Sequence, residues 1–348
     1  LYIDLPLETR MYGLLACALI TVNWVAAPML STIRRFRLLT AAYAAGTFTF
    51  WVHFQSSPTD VDVADLLVGF DLAMCITNAI VCGLIMQNFP GVSSRIFGLL
   101  KAFVRYWDLA LSGLLYGAGI WVDKWLMWSA PERLEMASGL TAFPTYDTVS
   151  FIAYVTTVPA LAVFVIKAET SFGDTCERFY HAIHSHADSE RLQLAKEELI
   201  GVLLTASRDV GILQVCVLVL SLLLPTLILD VVGSPHAGVF MFRFCALGAS
   251  FQLGAMLISI VLFYFDSRRT VLFINFVFVI CNVTFTLATM HLGFAWYGYG
   301  YFLASVVTFI VAYVMVSLSL RDLLYLAFIR QNPAVRDHAS PVTVPTAY

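Results

Sequence analysis

The longest uncharged stretch of the chain runs from residue 270 to residue 320 and contains no Asp, Glu, Lys or Arg. An α-helix rises about 1.5 Å per residue, so about 20 residues cross the roughly 30 Å hydrocarbon core of a bilayer. The stretch is therefore long enough for two spans. Gly293 and Gly298 near its middle relax the backbone, and Trp296 and Tyr297 favour the membrane interface. This pattern predicts two membrane-spanning helices joined by a turn.

Similar apolar runs, separated by short polar segments, recur along the whole chain. The composition agrees, because 60% of the residues are hydrophobic and 12% are charged, whereas a soluble domain has about 25% charged residues. We therefore predict an all-α polytopic membrane protein with about nine spans. They are expected near residues 11–33, 38–59, 64–86, 101–128, 148–166, 211–229, 237–265, 270–290 and 297–320.

One long hydrophilic insertion, residues 168–209, interrupts the spans. In its second half Leu192, Leu199 and Leu203 recur at helical spacing, and charged residues fill the other positions. This pattern predicts an amphipathic helix that lies on the membrane surface or against a partner protein.

Most of the basic residues fall in alternate loops, and the insertion 168–209 is one of these loops. Cytoplasmic loops of membrane proteins are enriched in Lys and Arg. The distribution predicts a cytoplasmic insertion, a cytoplasmic C-terminus and a first residue on the outer side.

Arg243 is a cation inside a predicted span, where a charge costs roughly 2.5–3.5 kcal/mol on the lenient insertion scale. Ser250 and Gly254 follow on the same helical face. The functional interpretation is a cation that lines a cavity and meets the substrate. The structural alternatives are an ion pair with an Asp of another helix, or a side chain that reaches the outer interface. The sequence leaves these open.

Two acidic residues also lie within predicted spans. Asp71 is followed by Asn78 two turns later, and Asp108 is followed by Ser112 one turn later. Polar stripes at helical spacing point away from lipid and either line a hydrated pathway or join helices. We expect Asp71 to face a cavity. Asp108 is more ambiguous, because Arg105 one turn earlier could neutralise it.

A third polar stripe, Asn275, Asn282 and Thr286, lies on the predicted eighth span. Amide side chains at such positions commonly form hydrogen bonds between membrane helices. We expect this role for Asn275 and Asn282. The pattern Gly113-x-x-x-Gly117 permits close helix packing, but it is frequent in spans and carries little weight.

Other functional classes find no support in the sequence. No phosphate-binding loop, nucleophile elbow or basic tract is present, so we expect neither an ATPase, nor a hydrolase, nor a nucleic-acid-binding protein. The cysteines form no C-x-x-C pair. His181, His184 and His186 resemble a metal cluster, although a solvated helix face explains them better. We expect no catalytic residue, metal or cofactor.

Five stretches, taken together and in order, resemble one family. They are residues 119–128, 144–147, 169–180, 263–269 and 296–301. The chain is similar in these stretches to the PelG family, the inner-membrane transporters of the bacterial Pel exopolysaccharide system. The motif residues that carry the resemblance are Trp121, Asp123, Lys124, Glu169, Asp266, Arg268, Arg269 and Tyr297. Asp123, Lys124, Asp266 and Arg268 could equally be topology and loop anchors, and the resemblance does not identify transport residues.

The resemblance implies a two-lobe helical bundle like those of MATE and Wzx flippases, which usually have twelve spans. Residues 1–90 would be the second half of the first lobe, and residues 91–348 would be the second lobe with the insertion 168–209. Three earlier spans would then be missing from this sequence. The implied substrate is a hexosamine-rich, partly cationic polysaccharide. The implied partners are the lipid bilayer, a cytosolic glycosyltransferase and other inner-membrane Pel proteins.

The favoured function is thus export of an exopolysaccharide across the bacterial inner membrane for biofilm matrix, with Arg243, Asp71, Asp108, Asn78 and Ser250 as pathway candidates. A lipid-diphosphate flippase would need several membrane cations, and the sequence offers few. A MATE-like small-molecule exporter with a coupling ion on Asp71 or Asp108 remains an alternative. A non-transporting scaffold for a polysaccharide synthase is another. A neighbouring glycosyltransferase gene would favour export.

Overall fold

The computed structural model describes residues 5–32, 36–56, 62–89, 98–136, 139–185, 188–233 and 238–324. Within these ranges the chain is helical apart from turns and one short antiparallel hairpin, β1 (Leu134–Glu135) and β2 (Thr141–Ala142). Seven of the described helical segments are long and apolar enough to cross a membrane. The prediction of an all-α polytopic membrane protein is confirmed.

The chain divides into two compact units. Unit 1 comprises Leu1–Leu99 and Met136–Leu140, and unit 2 comprises Leu100–Glu135 and Thr141–Tyr348. The short helix α4 (Gly98–Arg105) lies at the division. The predicted division after residue 90, with its assignment of the two parts to lobes of a larger bundle, stays a prediction.

The described part of unit 1 holds three long helices, α1 (Leu7–Thr32), α2 (Phe36–Ser56) and α3 (Val63–Asn88), and α3 packs against both others. Asp62 caps α3, since its carboxylate accepts a hydrogen bond from the backbone N–H of Val63 at 2.7 Å. A Cβ at Gly46 would overlap the Thr77 side chain and lie 2.9 Å from the carbonyl oxygen of Ala73. Glycine at this position lets α2 and α3 approach closely.

The described part of unit 2 contains nine α-helices after α4. They are α5 (Trp107–Met127), α6 (Pro144–Val155), α7 (Val158–Lys167), α8 (Gly173–His184), α9 (Ser189–Leu223), α10 (Pro225–Val232), α11 (Val239–Tyr264), α12 (Arg268–Met290) and α13 (Tyr299–Arg321). The helix pairs α5–α12, α12–α13 and α11–α13 pack most extensively. Pro144, Pro159 and Pro225 each lie in the first turn of a helix, where proline is tolerated because its missing N–H has no partner there.

The predicted spans correspond to helices, with differences at their ends. Pro159 divides the fifth span into α6 and α7, and Pro225 divides the sixth into the end of α9 and α10. The amphipathic helix and the sixth span are one continuous helix, Ser189–Leu223, because no proline interrupts that stretch. α2 and α5, each 21 residues long, are not among the seven candidate spans. The count of nine therefore stays a prediction.

Amide side chains on α12 bind α5. Asn275 donates to the Ser112 hydroxyl at 2.9 Å, and Asn282 donates to the carbonyl oxygen of Gly119 at 2.9 Å. These bonds confirm that Asn275 and Asn282 join helices. The Gly113-x-x-x-Gly117 pattern plays no comparable part, since no described atom lies within 4 Å of a Cβ built at either glycine.

The apolar face of the amphipathic segment is buried within unit 2. Leu192, Leu199 and Leu203 pack in one cluster with Phe179 of α8 and with residues at the ends of α11, α12 and α13. The Lys196 ammonium also donates to a backbone carbonyl at the end of α13, at 2.8 Å. The expectation that this face lies on the membrane or on a partner is wrong, because the protein's own spans cover it.

Candidate functional site

The most deeply buried charges of unit 2 lie in the last turn of α5. Asp123 is 0% exposed and Lys124 is 7% exposed. The Lys124 ammonium lies 3.2 Å from Asp123 Oδ2 and donates to the backbone carbonyl of Ile120 at 2.9 Å. Two opposite charges on adjacent residues therefore pair inside the bundle rather than facing solvent.

Three tyrosines from other helices surround this pair. The Tyr146 hydroxyl of α6 donates to Asp123 Oδ2 at 2.8 Å. The Lys124 ammonium lies 5.0 Å from the ring centroid of Tyr154 on α6 and 6.0 Å from that of Tyr301 on α13. Aromatic faces attract cations at such distances. The cluster thus joins α5, α6 and α13 at one point.

Two further contacts between carboxylates and aromatic side chains lie at the same end of unit 2. The Trp128 indole N–H donates to Asp147 at 3.1 Å, and the Tyr297 hydroxyl donates to Glu132 at 2.7 Å. The ring of Phe143 meets Tyr297 edge to face, with centroids 6.0 Å apart. This end of the unit therefore carries a network of aromatic rings and carboxylates, of which Glu132 is exposed.

The burial of Asp123 and Lys124 decides what the pair can do. A side chain that is 0% exposed does not touch a polymer in this conformation. Removing one partner of a buried ion pair leaves an uncompensated charge and costs about 3–5 kcal/mol. The pair therefore fixes the positions of the helices that meet there. Both residues lie within a helix and are buried, and whether they act as topology and loop anchors stays a prediction.

The opposite end of α5 holds a second charged group. The guanidinium of Arg268 donates to Asp266 at 2.6 Å and lies 4.8 Å from the ring centroid of Tyr106. Asp108, in the first turn of α5, is close enough to Arg268 for an electrostatic interaction. Arg105 instead lies over the Tyr106 ring. Arg268 is thus a basic neighbour of Asp108, and neutralisation of Asp108 by Arg105 stays a prediction.

Arg243 lies on the surface of unit 2. Its side chain is exposed, and its guanidinium carbon lies 5.9 Å from the ring centroid of Phe240. Ser250 accepts a hydrogen bond from Gln214 of α9 at 2.8 Å, and Gly254 packs against a phenylalanine ring of α13. Ser250 and Gly254 therefore contact neighbouring helices, and whether this face lines a pathway stays a prediction. Whether Arg243 meets substrate stays a prediction.

Asp71 and Asn78 of unit 1 have different environments. Asn78 donates to the backbone carbonyl of Leu19 at 2.9 Å and so joins α3 to α1. Asp71 is 4% exposed, and neither carboxylate oxygen has a hydrogen-bond partner among the described residues. The two residues therefore do not form one polar wall. Asn78 is a helix contact, and Asp71 is a buried acid without a partner.

The remaining motif residues lie apart from these groups. Trp121 is half exposed on α5, and Arg269 is exposed at the start of α12. Glu169 lies in a π-helical turn, Ala168–Phe172, and its side chain is outside the described set, as are His186, residues 57–61 and the tail after residue 324.

Sequence reasoning missed the tyrosines of the buried cluster. Tyr146, Tyr154 and Tyr301 each occur in an apolar run, where a tyrosine by itself carries no signal. The combination of a Lys in a span with tyrosines on other spans was the available signal, because a buried cation needs partners and aromatic rings attract cations.

Comparison with known proteins identifies the family of this chain. A family model described as "PelG: Putative exopolysaccharide Exporter (EPS-E)" matches residues 1–328. No curated protein and no solved structure matches the chain. The family match extends over both units and every described helix, and it confirms the resemblance seen in the motifs. The chain therefore belongs to the PelG family of exopolysaccharide exporters.

Proposed function

We propose that the exported polymer is a hexosamine-rich exopolysaccharide, moved across the bacterial inner membrane into a biofilm matrix. The observation that carries this proposal is the family match over residues 1–328. Export of exopolysaccharide is the activity of the family, and the multi-pass helical fold suits it. The proposal concerns which sugar the polymer contains and which membrane it crosses.

The test is the composition of the polymer that depends on this protein. Cells that lack the gene should secrete no matrix polymer, and restoring the gene should restore it. Digestion of the restored material with a hexosaminidase should release amino sugars. A gene-dependent polymer that contains no hexosamine would overturn the proposed substrate and leave the family assignment intact.

The proposed orientation places the insertion 168–209 in the cytoplasm. Basic side chains gather at that end of unit 2, since Lys196 of the insertion bonds to the backbone of Arg321 and Tyr180 bonds to the backbone of Tyr264 near Arg268. Lys124, at the opposite end of α5, is neutralised by its ion pair. The arrangement supports a cytoplasmic insertion under the positive-inside rule.

Single cysteines in a cysteine-free protein test this orientation. Glu135→Cys and Arg269→Cys replace exposed residues at the two ends of unit 2. A membrane-impermeant thiol reagent added to whole cells with a permeable outer membrane should label position 135 only. Labelling at position 269 alone would show that the proposed orientation is the wrong way round.

The proposed partner at the insertion is the glycosyltransferase that makes the polymer. Because the apolar face of α9 is buried, the contact would use its outer face, where Leu194 and Leu204 are 59% and 64% exposed. The double variant Leu194→Glu/Leu204→Glu should lose the glycosyltransferase in a membrane pull-down at unchanged abundance. Arg133→Ala, at the other end of the unit, is the control. Unchanged recovery in the double variant would contradict this contact.

A further inference from the structure

Asp71 is an acid inside a membrane-spanning helix. It lies eight residues after Val63, the first residue of α3, which is about 12 Å along the helix axis. Its side chain is 4% exposed. In the part of the chain that the structure describes, neither of its carboxylate oxygens has a hydrogen-bond partner. A buried polar group in this condition is uncommon in folded proteins and calls for a physical explanation.

Among the residues that the structure describes, the helices around Asp71 supply no side chain that hydrogen-bonds to it. α1 and α2 pack against α3, and their described charged or titratable side chains are Glu8, Arg10, Tyr12 and Cys17 on α1 and Arg37, Tyr43 and His53 on α2. α3 itself adds Asp65, Cys75 and Cys82. Arg10 donates to the backbone of Leu5, Tyr43 donates to Asn23, and the His53 ring lies 3.1 Å from the carbonyl oxygen of Asp65. Among these described groups none bonds to Asp71.

The chemistry of the site favours one ligand. An ionised carboxylate buried without a partner is far more costly than the neutral acid, so such a group takes up a proton. A metal cation would need several oxygen ligands around it. In the described part of the chain the Asp71 carboxylate has no hydrogen-bond partner, and no group of three or more His, Cys, Asp or Glu side chains that could hold a metal ion is found there.

We propose that Asp71 is the proton-binding site that couples export to the proton gradient. Its carboxylate takes a proton from water on one side of the membrane while the site is open to that side. The O–H bond then breaks when the site opens to the other side, and the proton returns to water there. The step involves no redox change. The proposal takes the exporter activity as given and does not depend on which sugar is moved.

Two substitutions at Asp71 distinguish an effect of losing the titratable carboxyl group from an effect of changing the size of the side chain. Asp71→Asn keeps the size of the side chain and cannot bind the proton, whereas Asp71→Glu keeps the titrating group. Asp65→Asn, in the first turn of the same helix, is the matched control. At equal membrane abundance, Asp71→Asn should reduce secretion to background, Asp71→Glu should restore part of it, and Asp65→Asn should secrete like the wild type.

Protonation of the Asp71 carboxylate can be measured directly, without the transported polymer. Infrared difference spectra of the purified full chain between acidic and alkaline buffer should show a protonated carboxyl band that Asp71→Asn removes and Asp65→Asn retains. A spectrum unchanged by Asp71→Asn would overturn the proposal, as would wild-type secretion by that variant. A requirement for sodium in place of the proton gradient would overturn it too. Because the spectra do not involve the polymer, a wrong sugar assignment leaves this test unaffected.

Discussion

Two buried aspartates, one in each unit, have opposite surroundings. Asp123 of unit 2 is 0% exposed and is bonded to both Lys124 and Tyr146. Asp71 of unit 1 is 4% exposed and has no hydrogen-bond partner in the described part of the chain. The first carboxylate is held by two donors on two helices. The second is left without any.

The difference separates a structural charge from a functional one. An ion-paired carboxylate stays in its pair, because separating the two charges would leave each of them unpaired in a low-dielectric interior. An unpaired acid contributes nothing to helix contacts and costs stability, so its presence needs another reason. We therefore expect substitutions at Asp123 and Lys124 to affect folding first, and substitutions at Asp71 to affect transport first.

The largest expected effect follows removal of Lys124. Lys124→Ala leaves Asp123 buried with only the Tyr146 hydroxyl and should destabilise the protein by about 3–5 kcal/mol. Thermal unfolding of the purified protein in detergent and its amount in the membrane measure this. The double variant Asp123→Asn/Lys124→Met removes both charges and should recover most of the loss. A stable Lys124→Ala protein would contradict a structural role for the pair.

A stabilising effect is expected at Asp71. Asp71→Leu replaces an unpartnered buried carboxyl with an apolar side chain of similar size and should increase stability by about 1–3 kcal/mol. The same thermal unfolding assay measures it, and secretion should be lost in parallel. Loss of stability would mean that Asp71 has a partner in the folded protein, and the comparison with Asp123 would fail.

Smaller effects are expected at the amide contacts, one in each unit. Asn78→Ala removes the bond to Leu19 in unit 1, and Asn282→Ala removes the bond to Gly119 in unit 2. Hydrogen bonds between membrane helices contribute about 0.6 kcal/mol on average and up to about 1.7 kcal/mol. Both variants should unfold at a slightly lower temperature and still secrete polymer. Abolished secretion in Asn78→Ala alone would assign that residue to the transport pathway.

The smallest effect on stability is expected at Arg243. Its guanidinium lies near the exposed ring of Phe240, and an exposed cation–π contact contributes about 0.5–1 kcal/mol. Arg243→Ala should therefore accumulate in the membrane at a near-normal level. Secretion then decides its function, since a pathway role predicts lost export and a surface role predicts normal export. Low abundance would show that Arg243 has a structural partner.

The long uncharged runs predicted the helices and the membrane class correctly, because both are local properties. A span needs about 20 apolar residues, and its backbone must satisfy its own hydrogen bonds. Any sequence that meets these conditions forms a helix in a bilayer. The bonding of Asn275 and Asn282 between helices was predictable for the same reason, since an amide in a span finds a partner on a neighbouring helix.

Tertiary structure decided which charges are buried and which faces are covered. The sequence favoured Arg243 as the clear intramembrane cation, yet Lys124 is the buried one and Arg243 is exposed. It also placed the apolar face at Leu192 and Leu199 on the membrane surface or a partner, whereas the ends of α11, α12 and α13 cover it. In a membrane protein the residues that face lipid and those that face another helix are both apolar. Sequence pattern alone therefore predicts the spans, and only the packed neighbours determine the partners of each side chain.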